Sequence, residues 1–105
     1  MNQYFKFDGR LGIEVPYLKK DWEDIPSAEQ HGILLKWEEI RGKIPDRIKS
    51  LEALINEKQH QLNHEGNFHV SCILNSEIAE LASIINDLWI WYRINQDISA
   101  EKAHS

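Results

Sequence analysis

The sequence predicts a mainly all-α fold built around a long antiparallel helical hairpin, with one shorter helix before it. Three observations predict it. Ile44, Ile48, Leu51, Ile55 and Leu62 step by four, three, four and seven residues, and Leu74, Ile78, Leu81, Ile85, Leu88 and Tyr92 step by four and three. Such spacing lines one side of an α-helix with apolar side chains. Gly66-Asn67 separates the two runs, a link so short that the helices can only pack antiparallel.

The 105 residues, of which 42% are hydrophobic and 28% charged, suit one globular domain with one core. Its parts, in order, are an arm over 1–26, helices over 27–44, 45–65 and 67–96, and a polar tail over 97–105. In the arm, Tyr4-Phe5-Lys6-Phe7 and Leu11-Gly12-Ile13-Glu14-Val15 flank the turn dipeptide Asp8-Gly9. A two-residue loop sets Phe5 and Phe7 opposite Gly12 and Arg10. A three-residue loop pairs them with Ile13 and Leu11. A short β-hairpin and an irregular apolar arm are both compatible with this stretch.

Ser27-Ala28-Glu29-Gln30 has the pattern of a capping box opening the first helix, which carries Ile33, Leu34, Trp37 and Ile40 on one side. Gly42 and Pro45 interrupt it, since proline lacks the N–H and crowds the carbonyl four residues earlier. The apolar positions before and after Pro45 are nevertheless in phase, so one continuous kinked helix is the alternative to two. Asn67 is placed to cap the third helix. Folding about Gly66 pairs residues whose numbers sum to roughly 133, which sets Ile55 against Ile78, Ile48 against Ile85 and Ile44 against Trp89.

The end of the third helix is apolar on more sides than one neighbour covers. Ile84, Trp89, Ile90, Trp91 and Ile94 lie outside the seam and are the expected interaction surface. They can be covered by the arm and first helix in a monomer, by a second copy in a four-helix bundle, or by a protein partner. A ligand cleft between Trp37, Trp89 and Trp91 is a further reading.

Chemistry-bearing motifs are sparse. His60, His64, His69 and Cys72 gather near the hairpin turn, but in the frame of the seam they occupy outer and flanking positions, and no metal site is expected. Glu57-x-x-His60 and Glu101-x-x-His104 match a di-iron ligand spacing without the inward-facing carboxylates of four helices. Cys72 follows His69 by three residues with nothing to form an oxyanion hole. Glu77-x-x-Glu80 followed by Asp87 resembles the carboxylate helix of MazG-like all-α nucleotide pyrophosphatases. That resemblance covers one helix of the chain and lacks the second acidic motif. It implies magnesium held by Glu77, Glu80 and Asp87, activating water against a phosphate.

A net charge of −5 disfavours nucleic acid, despite the local group Arg41, Lys43, Arg47 and Lys49. The N-terminal stretch has no signal-type apolar run. The longest apolar run, Leu88 to Tyr92, falls short of the roughly 20 residues of a membrane span. With one cysteine, the expected setting is the cytoplasm. The function expected is that of a non-enzymatic interaction or regulatory protein without a cofactor, with a metal-dependent nucleotide hydrolase as the alternative.

Overall fold

The computed structural model describes residues 2–94. Residues 95–105 lie outside the described residues, and with them the expected polar tail, the last two residues of the expected third helix and Glu101-x-x-His104. A 3-10 turn at Asn2–Tyr4 leads into strands β1 (Phe5–Asp8) and β2 (Ile13–Pro16). A second 3-10 turn at Trp22–Asp24 precedes helices α1 (Ser27–Gly42), α2 (Ile44–Asn63) and α3 (Phe68–Arg93).

The arm does form a β-hairpin, but in neither expected register. Phe5 pairs with Pro16 and Phe7 with Glu14, leaving a four-residue loop. Asp8 is the cause. Its carboxylate accepts from the backbone N–H groups of Arg10 and Leu11, both at 3.0 Å, and its carbonyl accepts from Gly12 at 2.7 Å. The loop therefore closes on the Asp8 side chain rather than on a tight Asp-Gly turn. Gly12 closes it with φ +76°, and Leu11 turns inward to 2% exposure.

The capping box is not formed. Pro26 holds the N-cap position without a side-chain bond, Ser27 is already helical, and the Gln30 amide instead donates to the Trp22 carbonyl at 2.7 Å. A fixed tertiary acceptor outcompetes the local one. Asn67 caps α3 as expected, its side chain accepting from Val70 N–H at 3.2 Å.

α1 and α2 are one long helix bent at Lys43. That residue keeps near-helical dihedrals (φ −93°, ψ −9°), and the Arg47 N–H still reaches the Lys43 carbonyl at 3.2 Å. Pro45 sits in the first turn of α2, where a missing N–H costs little, so it bends the helix without ending it.

α2 and α3 pack antiparallel along the expected seams. The Lys58–Glu77 ion pair, 3.2 Å, fixes the register within two residues of the expectation. Near Ile44, however, Leu88 is the fully buried residue of the same core cluster and Trp89, the expected partner, is 37% exposed, because the seam runs through Leu88. The core lies at the end of the hairpin remote from the turn. There, Ile44, Ile48 and Leu51 of α2 and Ile84 and Leu88 of α3 meet Ile33 and Trp37 of α1. Tyr4, Phe5, Leu11 and Ile25 of the arm complete the cluster. The molecule is elongated, 59 × 22 × 22 Å, with a radius of gyration of 17.9 Å. A compact domain of this length has about 13 Å.

Candidate interaction surface

α3 is the element on which the expected site residues sit, and it has three differently occupied sides. At 3.6 residues per turn these sides are about 120° apart. One side carries the seam, with Leu74, Ile78, Leu81, Ile85 and Leu88 against α2.

The second side is covered by the arm and α1. The Arg10 guanidinium, carried by the β1–β2 loop, donates to Glu80 at 2.8 Å, to Asp87 at 2.7 Å and to the Ser83 hydroxyl at 2.7 Å. Hydrogen bonds to Asp87 and Glu80 raise the Arg10 pKa above its ordinary value. Beneath this latch Ile84 is 8% exposed, and Trp91 packs edge-on against Trp37 with centroids 5.6 Å apart. The Trp37 indole N–H donates to the Ile94 carbonyl, and Arg41 donates to the Tyr92 carbonyl at 3.1 Å while stacking on the Tyr92 ring. The arm is itself tied to α1 by the Tyr4 hydroxyl, which donates to Glu29. That bond raises the tyrosine pKa.

The expected interaction residues are thus divided. Ile84 belongs to the core, and Trp91 and Ile94 are partly buried against α1. Trp89 and Ile90, 37% and 47% exposed, face outward. The three tryptophans do not converge on a cleft: Trp37 is fully buried, and Trp89 meets Tyr92 edge-on with ring centroids 5.5 Å apart.

Among the described residues, the third side of α3 is open along its length. Sequence reasoning centred on the C-terminal half of the helix missed its other end, where Phe68 is 83% exposed. Leu54 of α2 and Ile73 of α3 are also exposed, beyond the reach of the arm. Their signal lay in the sequence as apolar residues off the seam.

The three carboxylates of the alternative reading do not assemble. Glu77 is bound to Lys58, whereas Glu80 and Asp87 share Arg10. Among the described residues no group of three or more His, Cys, Asp and Glu side chains is placed to hold a metal ion. His60 and His64 stack with centroids 4.6 Å apart, and they, His69 and Cys72 are all exposed.

By length and composition α3 is long and apolar enough to cross a membrane, and little of it is buried within the fold. Comparison of the chain with family models, with curated proteins and with solved structures gives no match.

Proposed function

We propose that this chain is a small cytoplasmic, non-enzymatic protein-interaction module that works through the surface of α3 left open by α2 and the arm. One observation carries the reading: among the described residues an apolar helix of 26 residues is covered on two sides, with Phe68 exposed near one end of the third side and Trp89 and Ile90 near the other. Soluble proteins seldom leave contiguous apolar surface beyond a few hundred Å² uncovered unless it binds something.

The charged residues support binding over catalysis. Glu80 and Asp87 hold the arm through Arg10, so a magnesium ion there would have to displace a guanidinium making three hydrogen bonds. Two of the four basic residues near the bend are also engaged. Arg41 bonds Glu38 and the Tyr92 carbonyl, and Arg47 bonds the Leu11 carbonyl at 3.0 Å, which leaves only Lys43 and Lys49 and speaks against a phosphate-binding role. An aqueous setting fits an Arg10–carboxylate latch halfway along α3, since charged side chains at the bilayer centre cost several kcal/mol, about 2.5–3.5 or more each.

The test is recovery of a bound protein from the native cell by the wild-type chain and by Phe68→Ser/Trp89→Ser. Loss of the bound species, with the helical circular dichroism intact, is the expected result. Undiminished capture by the double variant would contradict the assignment to this surface. In parallel, magnesium-dependent nucleotide turnover that disappears in Glu80→Gln would overturn the non-enzymatic reading.

A further inference from the structure

A groove lies between the β-hairpin and the bend that joins α1 to α2. Alternate residues of a strand share a face, so Phe7 lies on the same face of β1 as Phe5, with Glu14 as its cross-strand neighbour. That face is turned to α1. Phe5 is 6% exposed, with the Lys36 ammonium 4.8 Å from its ring centroid, and Lys36 also pairs with Glu14 at 3.4 Å. Phe7, one pleat further on, is 63% exposed. It lines a groove of about 400 Å³ together with Gly12, Ile13 and Glu14 of the hairpin and Ile40 and Lys43 of the helix. No residue of α3 lines it, so it stands apart from the surface proposed above.

The charges at its edge are unevenly answered. The carboxylate within it, that of Glu14, is met by Lys36. Lys43 makes no ion pair among the described residues, although Glu39 and Asp46 lie within a turn of it in sequence. Arg47, one helical turn beyond, uses only its Nε–H, on the Leu11 carbonyl at 3.0 Å, and among the described residues its terminal nitrogens have no acceptor. One of them lies 2.7 Å from the point where a Cβ of residue 12 would stand. The missing side chain of Gly12 is therefore what lets the guanidinium rest at the groove. In a chain of net charge −5, apolar walls beside two unanswered cations suit an anion with an apolar body.

We propose that this groove binds a small carboxylic acid with an apolar body. Lys43 and Arg47 hold its carboxylate, and its hydrocarbon part lies between Phe7, Ile13 and Ile40. A carboxylate brings one negative charge and two acceptor oxygens, which an ammonium and the edge of a guanidinium can meet. A phosphate monoester brings nearly two charges and three oxygens, more than these donors satisfy beside apolar walls. The volume falls in the range of small-molecule sites, about 300–1,000 Å³.

Isothermal titration calorimetry of the full chain with decanoate tests the site. Saturable binding is expected, and decanol, the same body without the charge, should bind about tenfold more weakly or worse. Lys43→Gln, at an exposed position, should lower decanoate affinity by a similar factor while leaving decanol binding and the circular dichroism unchanged. Phe7→Ser should weaken both ligands. No saturable binding of decanoate overturns the proposal, as does equal binding of decanoate and decanol. Decanoate binding indifferent to Lys43→Gln overturns it as well. Binding lost instead in Phe68→Ser/Trp89→Ser would place the ligand on α3 and would equally contradict this site.

Discussion

The two ends of the α2–α3 hairpin are built on the same repeating seam and have different surroundings. At the end near Lys43, the seam residues Ile44, Ile48, Leu51 and Leu88 meet the arm and α1, and each is at most 3% exposed. Toward the turn at Gly66, the same spacing yields Ile55, Leu62, Leu74 and Ile78, of which only Leu74 is buried. Identical periodicity therefore does not give identical burial. A two-helix layer covers one stripe of each helix, and a third element is needed to close the sides. The arm supplies that element at one end, and among the described residues nothing supplies it at the other. The unfinished end is where the interaction surface extends.

Mutation of matched positions should widen this contrast most. Trp37→Ala empties a fully enclosed site beside Trp91 and is expected to cost about 3–5 kcal/mol. Ile55→Ala, at a half-exposed seam position, is expected to cost about 1–2 kcal/mol, because less of the side chain leaves water on folding. Urea denaturation of both variants checks the difference. Equal losses would show that the turn end is as well packed as the core end.

The covering of the core end depends on how the arm docks, which Gly12→Ala is designed to break. Gly12 has φ +76°, and a Cβ there would lie 2.7 Å from the Arg47 guanidinium, which itself bonds the Leu11 carbonyl. The substitution strains the loop and displaces Arg47 together, with an expected cost of about 1–3 kcal/mol. Denaturation should be accompanied by a shift in Trp91 fluorescence as its cover loosens. A variant as stable as wild type would mean that the loop geometry does not matter to the docking.

How much of this was readable in the sequence follows from the range of the interactions involved. Helices α2 and α3, their antiparallel packing and the Asn67 cap were legible because spacing and capping act within a few residues. The bend at Lys43 was legible as an alternative, since Ile33, Trp37 and Ile40 stay in phase with Ile44 and Ile48. The hairpin register was not, because the Asp8 carboxylate binds two backbone amides and Leu11 enters a core made of distant segments. Ser27 and Gln30 spelled a capping box that a nearby carbonyl, that of Trp22, took apart. The burial of Ile84 and Trp91 comes from the arm and α1 packing on α3, segments distant in sequence, and the Arg10 contacts to Glu80 and Asp87 span more than 65 residues, which no local pattern encodes.

A smaller effect sharpens the comparison from the other direction. Arg10→Ala removes the latch but leaves Leu11 and Phe5 in place. Its ion pairs are part-exposed, 39% for Arg10 against 60% and 41% for Glu80 and Asp87, and such pairs contribute little to stability. The loss should shrink further in high salt, through screening. A loss as large as that of Gly12→Ala, unaffected by salt, would show that the arm is held chiefly by Arg10 rather than by its apolar residues.

Amide hydrogen exchange, followed residue by residue, tests the contrast between the two ends most directly. Amides of residues 52–79 should exchange faster than those of residues 33–51 and 80–90 in dilute solution, because fewer buried contacts oppose their opening. Uniform protection along α2 and α3 would contradict the division into a finished and an unfinished end.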